Sequence, residues 1–232
     1  MKHLTSIAAL AAGTTTLFAG DVTGTVTLKG TPPPEKPIAP LMADVNCGKA
    51  AKGTVTTRHY VVGAASGLGN VFVYVKAGLD GKKFDAPATK PVVDQVGCLY
   101  EPYVLGAQTG QTVEIRNSDA FLHNVNFMRS DAGNTTFNFA QGAGAKPVDK
   151  VFPNQEVFVK LQCNVHPWMF GYIGVVSNPY FAVTDKDGKF TLKGLPAGKY
   201  TVAFKHLKAG EVTQEVEVKD SGATVAATLE VK

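Results

Sequence analysis

Four side chains in the middle of this 232-residue chain have the types and spacing for shared metal chemistry. They are His123, then Cys163, His166 and Met169 within Cys163-Asn164-Val165-His166-Pro167-Trp168-Met169. Two imidazoles and a thiolate in a trigonal arrangement, with a distant thioether on the axis, form the donor set of a mononuclear blue-copper site. Thiolate and thioether suit Cu(I), and imidazole suits both oxidation states, so the set favours one-electron cycling. A His three residues after the Cys, and a Met three further on, converge on one point from a tight loop. Pro167 stiffens that loop by fixing its own φ. Zinc is disfavoured because methionine is a poor ligand for it, and no Cys-x-x-Cys-His haem attachment site occurs. No His-x-His pair occurs either, so this chain alone supplies neither a trinuclear cluster nor a second catalytic copper, and an enzyme is not expected.

The elements that must hold these residues read as strands. Val22–Leu28 alternates apolar and small polar residues, and Val71–Val75 is a β-branched and aromatic run. Further strands are expected at Thr112–Arg116, Val157–Gln162, Tyr172–Val176, Phe181–Thr184, Phe190–Leu192, Tyr200–Phe204, Val212–Val218 and Thr224–Val231. One short helix is expected near Ala39–Lys52. Many short strands with regular turn signals predict an all-β sandwich architecture. The Phe127–Pro153 connection, rich in Gly and polar residues, reads as a surface loop or irregular hairpin over the site. His59 and His206 lack partners at ligand spacing and read as surface residues. Met42 and Met128 read as packing residues.

Bulk properties limit the function. The formal charge is +4, about +3 without Lys2, and the basic residues form no long run, so nucleic acid is not an expected partner. Residues 1–19 read as an export signal: Lys2 and His3, an apolar and small-residue stretch, and a cleavage site at Leu17-Phe18-Ala19. No later apolar run is long enough for a membrane anchor. The mature protein is expected in the periplasm or secreted. Three cysteines in an oxidising compartment leave one over. With Cys163 assigned to the metal, Cys47 and Cys98 remain to pair.

The motif Cys163-x-x-His166-x-x-Met169, with Pro167 after the His, resembles the ligand loop of amicyanin-like and plastocyanin-like cupredoxins. The stretch from Tyr100-Glu101-Pro102 through Gly110-Gln111-Thr112-Val113 and Asn117-Ser118-Asp119 to His123-Asn124-Val125 is similar to the cupredoxin strands before the first His. The resemblance covers residues 95–177 and implies a Greek-key cupredoxin sandwich binding one copper ion. It also implies that the Asn124 amide donates to the Cys163 sulfur while its side chain ties the ligand loops together. A dehydrogenase or a c-type cytochrome is the redox partner it implies.

A second resemblance lies nearer the C-terminus. Ala182-Val183-Thr184-Asp185-Lys186-Asp187-Gly188-Lys189-Phe190-Thr191-Leu192, followed by Leu195-Pro196-Ala197-Gly198-Lys199-Tyr200, resembles the carboxypeptidase-regulatory-like, transthyretin-like module. Too few residues follow Asn178 for a full sandwich, and Gly24–Leu28 with Val71–Val75 resembles that module's two opening strands. The expected organisation is therefore a discontinuous, smaller β-sandwich from 20–89 and 179–232, with a cupredoxin domain inserted at 90–178. Domain insertion at a surface loop is structurally easy.

Two functions fit these readings. One is a one-electron carrier between exported redox proteins. The other is a copper-buffering or adhesive module without redox turnover. Pro167, Trp168 and Phe170 lie where a partner would dock, although Trp168 and Phe170 read equally well as plain core.

Overall fold

The computed structural model of the protein describes residues 19–232. The export signal expected at 1–19 lies outside them, apart from Ala19, which begins the first strand. Among the described residues, sixteen strands form four sheets. The N-terminal part supplies β1 (Ala19–Lys29) and β2 (Phe72–Ala77). The middle supplies β3 (Val92–Val96), β4 (Leu99–Glu101), β5 (Val104–Gln108), β6 (Thr112–Asn117) and β7 (His123–Phe127), then β8 (Phe137–Gln141), β9 (Val148–Val151), β10 (Glu156–Gln162) and β11 (Phe170–Val176). The last part supplies β12 (Phe181–Val183), β13 (Lys189–Pro196), β14 (Gly198–His206), β15 (Gly210–Val218) and β16 (Ala223–Glu230). The chain is all-β in class.

Chain connectivity explains how the four sheets are shared. The sheets β13-β1-β16 and β12-β2-β14-β15 draw on both ends of the chain, whereas β5-β11-β10-β7-β8 and β4-β3-β6-β9 come from the middle alone. β1 runs parallel to β16 and antiparallel to β13. β11 pairs in parallel with β5 and antiparallel to β10.

Period-2 alternation in β2 shows how the sheets stack. Val71, Val73 and Val75 face a core with Val26, Leu192, Val202 and Leu229, while Phe72 and Tyr74 face the other way, onto Tyr103, Val104 and Val176. The two β2 faces thus serve different cores, and the strand is a buried run where one-sided strands alternate. Beyond β5 and β11, a third core holds Ile115, Val125, Leu161, Met169 and Ile173. The sheets therefore stack as four layers with three apolar interfaces. The central interface is keyed by glycine: a Cβ on Gly174 would lie 2.6 Å from the Phe72 ring, and one on Gly106 would lie 2.5 Å from Phe181. Only the missing side chains let these two rings seat against the sheet.

Several expectations need correction. The 127–153 connection is not a surface loop: β8 pairs antiparallel with β7, the irregular hairpin that was the other expectation, and β9 pairs with β6. Phe137 and Phe139 alternate with polar residues in β8, and that alternation is the strand signal the composition obscured. The helix expected at 39–52 is two short ones, α1 (Ala39–Ala43) and α2 (Cys47–Ala50), broken where Asp44 turns to extended backbone. His206 is buried, not on the surface: its Nδ1 accepts the Lys208 and Ala209 amides (3.3 and 3.0 Å), capping the β14–β15 turn, and its ring lies 5.5 Å from that of Tyr60. Met42 and Met128 are exposed rather than packed. No described helix is long and apolar enough to cross a membrane.

Candidate metal centre

The first ligand candidate is placed by the β6–β7 corner. Asn117 ends β6, and its Nδ2 donates to the carbonyls of Phe121 and Gln141 (both 2.9 Å), while its Oδ1 accepts the Asp119 amide at 3.0 Å. That corner delivers His123 as the first residue of β7, wholly buried. The other candidates lie on the loop between β10 and β11. The Cys163 amide donates to the Met169 carbonyl and the Met169 amide to the His166 carbonyl (both 2.9 Å), closing the loop on itself. Pro167 stands exposed at its tip.

Three of the four candidates meet. The ligating atoms of His123, Cys163 and His166 all lie within 4.8 Å of one another, and all three residues are buried. The two imidazoles face each other through Nδ1 at 2.9 Å, and Cys163 Sγ is 3.7 Å from His166 Nδ1. Met169 is fully buried in the same core cluster as Cys163.

Asp119 sets the orientation of His123. Its carboxylate accepts His123 Nε2–H at 2.8 Å and the amides of Gly97 and Cys98 at 2.8 and 2.9 Å. The imidazole tautomer is thereby fixed with Nε2 protonated and the Nδ1 lone pair turned to the cluster, as metal-binding imidazoles are commonly held. Cys98 sits at φ 59° after Gly97 at φ 63°, a left-handed pair that turns both amides onto one carboxylate.

Electrostatics lower the Cys163 thiol. Burial pushes the Cys163 thiol up, but contact with His123 and the amides of Asn124, His166 and Val165 outweighs it and leaves the thiol below its ordinary range. His123 is held above its ordinary range: burial lowers it, and Asp119 and Cys163 more than offset that. His166 is pushed down, by burial and then by the charge of His123.

Asn124 lies across both loops. Its amide donates to Cys163 Sγ at 3.5 Å, and its Oδ1 accepts the Asn164 amide at 2.6 Å. Trp168 and Phe170 are half-buried; Trp168 packs 5.2 Å from the His166 ring, and Phe170 belongs to the central interface. The exposed apolar residues nearest in sequence to the ligands are Leu122 and Val165, each about half exposed, and His166 itself is buried.

Sequence reasoning missed Asp119, although its place four residues before His123 in an Asn-Ser-Asp turn was a usable signal. It also missed the amides behind the corner, where Gln95 Nε2 donates to Gln141 Oε1 at 2.6 Å. Period-2 reading treats such positions as strand interior and is blind to side-chain pairing across sheets. The Cys47–Cys98 disulfide forms as the cysteine count led us to expect.

The donor types and their burial fit a soft, redox-active ion: one cysteine sulfur, two imidazoles whose Nδ1 atoms lie 2.9 Å apart, and a buried thioether in the same core.

No protein-family model and no curated protein matches the chain. Among solved structures it is similar to a copper-containing nitrite reductase from Thermus scotoductus SA-01 (26% identity over 44% of this chain and 25% of that one, TM-score 0.34). It is similar also to a reduced mutant amicyanin (22% identity, 44% of this chain and 97% of that one, TM-score 0.34). A purple cupredoxin from Nitrosopumilus maritimus matches at 24% identity over 37% of this chain and 99% of that one, with a TM-score of 0.30. The chain spans about a quarter of the nitrite reductase's length. At these scores the likenesses place the chain in no family.

Proposed function

We propose that the protein binds one copper ion through His123, Cys163, His166 and Met169 and serves, outside the cytoplasm, as a one-electron carrier without enzymatic turnover. The observation that carries this reading is the convergence of two inward-facing Nδ1 atoms and the Cys163 sulfur within 4.8 Å, in a buried pocket. Copper held there would take up and return one electron. The chain's own residues keep the pocket in one geometry: Asp119 holds the His123 ring, Asn124 clamps the Cys163 loop, and Pro167 limits the loop's freedom. A site that changes little between oxidation states has little reorganisation to perform during transfer.

The disulfide supports an oxidising compartment. The partner we propose is an exported redox protein, a dehydrogenase or c-type cytochrome, docking over the Pro167 tip with Trp168 and Phe170 behind it. The sheets drawn from both chain ends act as a transthyretin-like module of 20–89 and 179–232 that carries the cupredoxin-like 90–178 part.

The test is visible absorption of the copper-loaded protein beside a Cys163→Ser control. An intense thiolate-to-copper band is expected, absent from the control and bleached reversibly by mild reductant. A colourless loaded protein, or a weak colour that survives the substitution, would reject the carrier reading and leave a copper-buffering role.

A further inference from the structure

The Cys47–Cys98 disulfide does more than staple the chain. Its two sulfurs and a ring nitrogen of His166 lie within 4.8 Å of one another, and Cys98 Sγ is equally close to a ring nitrogen of His123 and an Asp119 oxygen. The cysteine pair therefore borders the candidate metal centre. Apart from those groups its shell is apolar, formed by Leu41, Ile38, Leu99, Phe121 and Trp168. A pair needed only to close a long loop has no reason to lie against two histidines.

We propose that Cys47 and Cys98, when reduced, form with His166 a second metal site, one that takes a soft monovalent ion such as Cu(I). The S–S bond breaks as a dithiol supplies two electrons and two protons and is itself oxidised to a disulfide. Cu(I) then displaces the two thiol protons, which leave to solvent. Two thiolates and one imidazole in an apolar shell are a donor set suited to Cu(I) rather than to hard cations. Both sulfurs are fully buried, so the reductant gains access through local opening of the 39–50 segment. That segment is two short helices of five and four residues, the kind of element that opens at low cost. As a disulfide the pair is silent toward metal, so the compartment's redox state gates the site. The site does not use Cys163 but shares His166 with the proposed copper centre, so the Cys163→Ser chain and the comparison before and after reduction distinguish it from the carrier reading.

The experiment uses the full chain carrying Cys163→Ser, titrated anaerobically with Cu(I) against a chromogenic chelator, before and after reduction by a dithiol that is then removed. Expected is about one Cu(I) per reduced chain, bound at least ~10-fold more tightly than by the disulfide form. Adding Cys47→Ser and Cys98→Ser should abolish the gain, and His166→Gln should weaken it by ~10–100-fold. Equal affinity before and after reduction would overturn the proposal, as would retention of the gain without Cys47 and Cys98. Far-UV circular dichroism follows the fold throughout. Loss of the β signal on reduction would also overturn it, since the site exists only in the folded arrangement.

Discussion

The sheets drawn from both chain ends and the sheets of the middle segment have the same strand construction but different interiors. Of the buried polar residues among those described, eleven lie within 92–176: Gln95, Gln108, Gln111, Asn117, Asp119, His123, Asn124, Asn126, Asn134, Gln141 and His166. Three lie elsewhere: Asn178, Thr184 and His206. The difference places the candidate metal centre in the more polar interior. A buried polar group costs stability unless it is hydrogen-bonded, so a core that carries many is being held to a purpose other than packing. In the middle segment Gln95, Asn117 and Gln141 hydrogen-bond at the corner that delivers His123, Asn124 and Asn126 reach Asn164 beside Cys163, and Gln108, Gln111 and Asn134 tie down other loops. In the terminal sheets the few polar groups complete turns: Thr184 Oγ1 donates to the Leu68 carbonyl and accepts the Val71 amide, and His206 caps one hairpin.

The largest effect should come from breaking the boundary between the two regions. Phe72→Ala removes the ring that fills the space over Gly106 and Gly174, and the expected loss is about 3–5 kcal/mol of unfolding free energy. Urea unfolding followed by Trp168 fluorescence, which reports the middle segment, and by far-UV circular dichroism, which reports both regions, should give coincident curves in the parent protein. In the variant the two should separate. Coincident curves in Phe72→Ala would mean that the four layers do not depend on this interface for their coupling. Gly174→Ala attacks the same key from the other side, by overpacking, at about 1–3 kcal/mol.

The next effect tests whether the terminal core tolerates charge. Burial pushes His206 down to about 4, from an ordinary 6.5. Above pH 6.5 the ring is neutral whether the chain is folded or not, and its stabilising contribution is complete. Between 6.5 and about 4 the unfolded chain takes up the proton first, so stability falls as pH falls, by on the order of 3 kcal/mol. His206→Asn keeps an acceptor for the Lys208 and Ala209 amides and should remove most of that slope. A parent and variant with the same pH dependence would show that the slope has another origin.

These two cases also show what was legible in the sequence. The Cys163–Met169 spacing and the strand-like runs were readable because they are local. Period-2 alternation places a strand without naming its neighbours, so the four-layer stack stayed hidden until Phe72 was seen to face away from Val71 and Val73. His206 was misread as exposed because its partners are amides of its own turn, and a hairpin's inner geometry leaves no mark on composition. The disulfide followed from counting cysteines, but its place beside His166 did not, because two contacts distant in sequence must be superposed to reveal it.

A smaller effect should separate geometry from mere presence of ligands in the middle core. Asp119→Ala removes the acceptor for His123 Nε2–H and for the Gly97 and Cys98 amides. Copper affinity should fall by about 10–100-fold while the thiolate-to-copper band persists at altered wavelength. Stability should drop by about 1–3 kcal/mol from the orphaned amides. An unchanged affinity would mean that the packing of the corner, rather than the carboxylate, fixes the ring.

The smallest effect concerns the surface charges of both regions. Lys76 pairs with Glu211 at 2.7 Å on the terminal sheets, and Arg116 pairs with Asp94 at 3.0 Å on the middle ones. Both cations are about half exposed, with side-chain accessibility of 48% each, so solvent and salt screen them. Replacing either with Met should change stability by less than ~1 kcal/mol, and by similar amounts in the two regions. Thermal unfolding at low and high salt checks this directly. A much larger loss for Arg116→Met would place part of the contrast between the regions on the surface, since Asp94 also accepts Ser118 Oγ–H at 2.8 Å beside the ligand-bearing corner. Equal, small losses would leave the contrast where the buried amides put it, in the interior.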